Sequence, residues 1–347
     1  MAQSNAETIQ SVADKVGVST TTVSRVLNGK AETYRISKRT EERVLQTATE
    51  MGYIPNQVAR GLRNKRTNTI GLIIPDISNP FFSTIARNIE INARKAGCST
   101  ILSDSQEDTQ LEKESLRLLQ GRKVDGLIIC PVGEISAHIE PVLHKNIPLV
   151  IIDRYFPELD CTYVISDNYK GAFDAVSYLI ENNHRTIACI QGRARTSVNH
   201  ERVQGYRDAL KKHGLPLDES LIIGESFGKK NGYIGAKILL NRTPRPTAIF
   251  STSNLISLGA MGAILEEGLS IPDDISMISF DDQPYSDYLI TPMTTIAQQT
   301  DEIGHIAFKL LETQINHEMN QDMKPRIERI VLPTKLVIRK SVKTLKK

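Results

Sequence analysis

The 347-residue sequence has no tryptophan, few aromatic residues and only four cysteines. Cys98, Cys130, Cys161 and Cys189 are widely separated and form no CxxC pair, so neither a zinc-ligand spacing nor a disulfide framework is present. Cys130 and Cys189 lie in the apolar runs Leu127–Cys130 and Ile187–Ile190, which predicts buried thiols. No apolar stretch approaches the roughly 18 residues that a membrane span needs. The polar start, Met1 to Glu7, contains no apolar signal-peptide run, so the chain is expected to stay in the cytoplasm, away from any membrane. There is no GxGxxG and no P-loop, and no nucleotide or other cofactor is expected. The seven histidines show no HExxH spacing, no GxSxG elbow occurs, and no cysteine–histidine pair suggests itself. These absences argue against an enzyme.

What is present is a chain long enough for two or three domains, with 40% apolar residues to build their cores. The formal net charge is only +3, but it is unevenly placed. Residues 1–67 carry 11 Lys and Arg against 6 Asp and Glu, while the remainder carries 32 against 34. A basic head on a nearly neutral body suits a nucleic-acid-binding module attached to something else. A solvated basic face would give the same balance.

Within the head, Ile9, Val12, Ala13 and Val16 follow the spacing of a short amphipathic helix, and Gly17 permits a left-handed turn after it. Ser19 is a good N-cap for a second helix whose apolar stripe is Val23, Val26 and Leu27, stopped at Asn28-Gly29. A third helix is expected from Ser37 to Gly52 with Val44, Ala48 and Met51 on one face. Two of three short helices joined through a glycine turn make a helix-turn-helix bundle over 1–55. The basic, weakly helical stretch 56–67 reads as a hinge and linker.

From residue 69 the pattern changes. Short β-rich runs at Thr69–Ile74, Ser99–Ser103, Asp125–Ile129, Pro148–Ile152, Thr186–Ile190, Ala248–Ser251 and Ile275–Phe280 alternate with helical stripes such as Ile85, Ile89 and Ala93. Such alternation predicts parallel sheets with helices on both faces. The length exceeds what one such sheet needs, so 68–347 reads as two doubly wound lobes. The expected boundaries are 68–165 with 297–328 for the first lobe, and 166–293 with 329–340 for the second.

Several segments carry a more specific signal. Thr8 through Asn28, the hinge Tyr53-Ile54-Pro55-Asn56 with Ala59 and Leu62, and the loop Pro75-Asp76-Ile77-Ser78-Asn79-Pro80-Phe81-Phe82 come in order along the chain. Val124–Ile128, Asp273–Asp282 and Thr294–Gln298 follow. Together they resemble the LacI/GalR (lac repressor) family of transcriptional regulators over nearly the whole chain. The resemblance implies an all-α helix-turn-helix head on an α/β sensor like the periplasmic binding proteins. It implies a repressor that binds double-stranded operator DNA as a homodimer and responds to a small-molecule effector, a sugar or sugar acid.

In a helix-turn-helix the second helix enters the major groove, which makes Thr20, Thr21 and Arg25 the base readers. Arg25 can fork onto guanine O6 and N7, and the threonines can touch a thymine methyl. Ser19, Thr22 and Asn28 suit phosphate contacts, although Ser19 and Thr22 also serve simply as helix caps. Asn56, Ala59 and Leu62 belong to the hinge. The resemblance gives Leu62 the role of a wedge in the minor groove, as apolar side chains do elsewhere. Packing against the third helix is the competing role. The segment Lys30–Ile36 is longer than the family's usual pattern, and extra backbone contacts through Lys30 or Arg35 are one use for it.

Sugar recognition calls for carboxylates that accept, guanidinium groups that donate in a fork, amides that do both, and an aromatic face. The resemblance places Asn79, Phe81, Phe82, Asp153, Arg154, Arg202, Phe227, Ser253, Asp281 and Gln298 in that role. Each has a structural alternative: core packing for Phe81 and Phe82, an ion pair between lobes for Asp153-Arg154, a surface position for Arg202. Ser253-Asn254 departs from the family's common Asn-Asp, trading an amide for a hydroxyl and losing a carboxylate. That change favours a sugar acid whose charge Arg154 and Arg202 would neutralise. A stand-alone solute-binding protein of the same sensor fold is the alternative function, and the basic head and missing signal peptide argue against it. After the run Ile330–Ile338 only a basic tail follows, without apolar heptads, so a dimer is expected rather than a tetramer. Leu62→Ala should weaken operator binding and reduce DNA bending while leaving the melting temperature unchanged. Unaltered affinity and bending in a gel-shift series would assign Leu62 to packing instead.

Overall fold

The computed structural model describes residues 7–53, 66–320 and 326–346. The hinge positions Asn56, Ala59 and Leu62 lie outside the described residues. The chain separates into two units, Met1–Thr67 and Asn68–Lys347.

The first unit contains α1 (Ile9–Val16), α2 (Thr20–Leu27) and α3 (Lys38–Glu50). Each helix begins at a hydroxyl cap that satisfies an otherwise orphaned amide. Thr8 Oγ1 accepts from Ser11 N, Ser19 Oγ from Thr22 N at 3.1 Å and Ser37 Oγ from Thr40 N. Gly17 ends α1 at φ +74°, a left-handed conformation that sets the turn into α2. Val12, Ala13, Val16, Val23, Val26, Val44 and Ala48 form the buried core, joined by Ala31 from the loop after α2.

The second unit is two lobes, each a six-stranded sheet with helices on both faces. The first lobe holds β1 (Thr69–Ile74), β2 (Ser99–Asp104), β3 (Gly126–Ile129), β4 (Leu149–Ile152), β5 (Thr162–Ser166) and β11 (Arg329–Leu332), in the order β11-β5-β4-β3-β1-β2. All its pairings are parallel. Helices α4 (Pro80–Lys95) and α11 (Thr300–Asn320) cover one face, and α5 (Thr109–Gly121) and α6 (Glu140–His144) the other.

The second lobe holds β6 (Ile187–Ile190), β7 (Ile222–Ile223), β8 (Ala248–Ser251), β9 (Ser276–Phe280), β10 (Thr294–Ala297) and β12 (Lys335–Val337), in the order β12-β10-β9-β8-β6-β7. Its pairings are parallel except that of β12, which runs antiparallel to β10. Helices α7 (Asn168–Glu181) and α8 (Ser197–Lys212) cover one face, and α9 (Lys229–Leu240) and α10 (Asn254–Glu266) the other. Strands buried on both faces read as continuous apolar runs, which is why β3, β4, β6 and β8 stood out in the sequence.

The lobe boundaries expected from the sequence need correction. The run Ile330–Ile338 is not one strand of the second lobe. It is β11, paired with β5 in the first lobe, and β12, paired with β10 in the second. Pro333, with no amide hydrogen to donate to either ladder, lies between them. Ala297, assigned to the first lobe from sequence, pairs with Lys335 in the second sheet, and Ser166, assigned to the second, pairs with Leu332 in the first. The chain thus crosses between lobes three times, after β5, after β10 and after β11.

Three of the four thiols, Cys130, Cys161 and Cys189, are buried, and Cys98 is half-buried. No helix among the described residues is long and apolar enough to cross a membrane. Val44 is fully buried where α3 meets α1 and α2. Val44→Ala should destabilise the first unit by about 2 kcal/mol, from lost transfer energy plus a residual cavity. Calorimetry should show this loss in the head and leave the melting of 68–347 unmoved.

Candidate functional site

In a parallel sheet the carboxyl ends of the strands share one side, and loops leaving them converge. Here the segments after β1, β2, β4, β6, β8 and β9, with the residues just before α9, line a cavity of about 100 Å³ between the two lobes. Asn79, Phe81, Phe82, Asp153, Arg154, Arg202, Phe227, Ser253 and Asp281 all line it. Gln298 does not. It stands behind Asp281, donating from Nε2 to Asp281 Oδ1 at 2.5 Å.

The apolar part comes from both lobes. Phe81 and Phe82 meet edge to face with ring centroids 5.0 Å apart. Both are buried in the α4 core and both reach the cavity, so core and site are one role for Phe81. The Phe227 ring is held on Gly192, where a β-carbon would lie only 2.2 Å from it. Val198 and Leu255 complete this wall.

The polar part is a set of buried charges. Asp153 and Asp281 leave β4 and β9, strands at the same position in their respective sheets, and both adopt positive φ, +61° and +72°. Non-glycine residues rarely occupy that region, so each turn holds its carboxylate at a backbone cost. Burial pushes the Asp153 carboxyl up, against the opposing pull of Arg154 and Arg202. Its Oδ2 receives the Cys130 thiol, and its Oδ1 has no hydrogen-bond partner among the described residues.

Neither arginine is free. Arg154 forks onto Glu107, with Nη1 and Nη2 donating to the two carboxylate oxygens at 2.8 and 2.6 Å. Burial works against its charge, but Glu107 drives the Arg154 pKa above its ordinary value. Its guanidinium also lies 4.8 Å from the Phe227 ring centroid. Arg202 donates from Nε to Asn168 Oδ1 at 2.9 Å and from Nη1 to the Thr252 carbonyl at 2.6 Å, with its guanidinium over the Phe280 ring. Burial pulls its pKa down, and Asp281 and Asp153 push back. Asp281 Oδ2 accepts from the Asn254 amide, and Asn254 Nδ2 crosses the cleft to Asn79 Oδ1 at 2.8 Å.

Sequence reasoning missed Glu107, Asn168, Asn254 and Leu255. Asn168 follows β5, a strand absent from the sequence reading. Glu107 lies in a turn of two positive-φ residues, Gln106 and Glu107, and carries no sequence signal. Asn254 and Leu255 lie in the segment noted as a departure from the family pattern.

In the head, Thr21 and Arg25 stand four residues apart on α2, so they share a face. Thr21 is exposed and Arg25 half-buried. Ser19 and Thr22 are engaged with each other at the cap. Asn28 Nδ2 donates to the Ser24 carbonyl at 2.6 Å, so this side chain closes the end of α2.

Two family profiles match the chain. Residues 8–56 match "Bacterial regulatory proteins, lacI family", and residues 67–339 match "Periplasmic binding proteins and sugar binding domain of LacI family". The transcriptional regulator DegA of Bacillus subtilis is 36% identical over 343 residues, covering 97% of this chain and 98% of that one. The ribose operon repressor of Haemophilus influenzae is 34% identical, covering 98% of this chain and 99% of its own. Among solved structures, the lac repressor dimer bound to operator and the anti-inducer ONPF superposes with a TM-score of 0.84 at 28% identity, covering 98% of this chain and all of that one.

Asp153→Asn tests the buried carboxylate. Its folded pKa lies above the unfolded value, so at neutral pH its ionisation costs stability, and that cost is relieved as pH falls through the folded pKa. The amide should leave the melting temperature of 68–347 at pH 7 unchanged or higher, reduce the pH dependence of melting, and weaken ligand binding at least about tenfold by replacing an acceptor with a donor. A lower melting temperature with unaltered ligand affinity would make Asp153 a structural residue.

Proposed function

The chain belongs to the lacI family of bacterial regulatory proteins, and from that premise we propose that it is a transcriptional repressor whose operator affinity is set by a neutral sugar bound between its two lobes. It works in the cytoplasm, as a homodimer on a near-palindromic operator, and it carries out no catalysis. Thr20, Thr21 and Arg25 read base edges in the major groove, and the hinge with Asn56, Ala59 and Leu62 engages the minor groove.

One observation supports a neutral ligand over the sugar acid suggested by the loss of the family's Asn-Asp. Both cavity guanidinium groups already spend their forks on the protein, Arg154 with both terminal nitrogens on Glu107 and Arg202 with Nε and Nη1 on Asn168 and the Thr252 carbonyl. That leaves one donor nitrogen on each, Arg154 Nε and Arg202 Nη2, while Asp153 keeps an unused acceptor oxygen. The cavity lining includes four carboxylates, Asp76, Glu107, Asp153 and Asp281, against those two cations. A carboxylate ligand would meet repulsion without a free fork to receive it. Hydroxyl groups instead donate to Asp153 and Asp281 and accept from the remaining Arg202 Nη2, as buried polar groups require. The sugar's C–H face lies against Phe82 and Phe227. The cavity's size suits a single sugar ring.

Coupling between sugar and operator is reciprocal: a ligand that favours one arrangement of the lobes shifts DNA affinity only by its differential affinity for the two arrangements. The test is calorimetric titration of the full chain with pentoses, hexoses and the matching aldonic and uronic acids, beside operator gel shifts. A neutral sugar should bind, change operator affinity, and lose binding in Arg202→Ala and Asp281→Ala by about 1–3 kcal/mol or more, the cost of stranding buried polar groups. Binding of the acids alone, or unchanged affinity in both variants, would overturn the assignment.

A further inference from the structure

The loop between α2 and α3 remains unexplained by the function above. It is held at both ends. Lys30 N donates to the Arg25 carbonyl at 2.9 Å, Ala31 is buried in the head core, and Ile36 N returns to the Ala31 carbonyl at 2.9 Å with its side chain packed on that core. Glu32, Thr33, Tyr34 and Arg35 therefore form a short excursion, turned back at Arg35 by a left-handed φ of +53°. The excursion brings the Tyr34 ring to the second helix, where the Arg25 guanidinium carbon lies 3.9 Å from the ring centroid. Tyr34 remains 48% exposed, so burial of the ring does not account for its placement.

We propose that Tyr34 is a positioning residue that pre-orients Arg25 for base reading, delivered to it by the loop between α2 and α3. The inference rests on the reading of Arg25 as a base reader. Its physics follows from the shape of the guanidinium. Stacking uses the flat face of the group, whereas the donors that fork onto guanine O6 and N7 lie along its edge. The ring thus occupies the face and leaves the edge free. A surface arginine loses rotamer freedom when it docks on a base, and a side chain already held in one orientation loses less. The gain appears in specific binding, because non-specific binding depends on phosphate charge rather than on where one fork points.

The experiment uses the full chain, an operator selected from random DNA, a random duplex of equal length, and operators with single base-pair changes, all read by fluorescence anisotropy. Tyr34→Phe keeps the ring and should bind as the parent does. Tyr34→Ala and Tyr34→Leu should each lose about two- to fivefold on the operator, the range of an exposed cation–π contact, with no loss on random DNA. They should also flatten discrimination at the base pair whose preference Arg25→Ala abolishes, and add nothing in the Arg25→Ala background. Unchanged or tighter operator binding by Tyr34→Ala and Tyr34→Leu overturns the proposal, as does an equal loss on random DNA or a loss that persists without Arg25. If Arg25→Ala itself leaves operator affinity and base preference intact, Arg25 is not a reader. The underlying reading then fails, separately from any result at Tyr34.

Discussion

The cavity of the second unit depends on one constraint of parallel pairing: the parallel strands of a sheet all end on the same side. Each lobe has a single edge where loops can carry polar side chains without disturbing a two-sided apolar core. The three chain crossings link the lobes, and the cavity is lined by the loops that leave these strand ends. The repetition is visible residue by residue. Asp153 and Asp281 occupy corresponding places after β4 and β9, with the same left-handed backbone, and each presents a carboxylate to the shared cavity.

Putting charges in such a place is costly unless they are paired. The first lobe meets the cost with Glu107, which takes both terminal nitrogens of Arg154. The second meets it with Asn168 and a backbone carbonyl on Arg202, and with Gln298 and the Asn254 amide on Asp281. Asp153 is left partly unpaired, a buried carboxylate with one oxygen unused and its pKa raised by burial, and Arg154 Nε also lacks a hydrogen-bond partner among the described residues. Asn254 and Asn79 add a direct hydrogen bond between the lobes, joining the N-terminal ends of α10 and α4 across the cavity.

The head works by the opposite economy. It has a small core and short helices, each started by a hydroxyl cap, so its surface geometry is set locally by caps and turns. That is how the loop after α2 can bring a ring onto a side chain of α2 without disturbing the bundle. Asn28 shows the same economy, its amide closing the helix it terminates.

Much of the fold was legible in the sequence because its periodicities are local. The three head helices, the serine caps of α2 and α3, and the apolar strands β1, β3, β4, β6, β8 and β9 follow from patterns within a few residues. The residues Asn79, Asp153, Arg202 and Asp281 were legible through the same motifs and their placement after strands. What the sequence did not reveal is long-range pairing. A run such as Ile330–Ile338 has the composition of one strand, and only the partners β5 and β10 divide it between two sheets. The polar residues of β5 (Thr162–Ser166) and β10 (Thr294–Ala297) broke the apolar run, and β7 has only two residues, so none of these strands stood out. The sequence by itself determined the order of elements and the chemistry available to the cleft. Only the tertiary structure decided which charges were already spent, because Glu107 and Asn168 reach Arg154 and Arg202 across 47 and 34 residues of chain, and a hydrogen bond depends on position in space rather than on distance along the sequence.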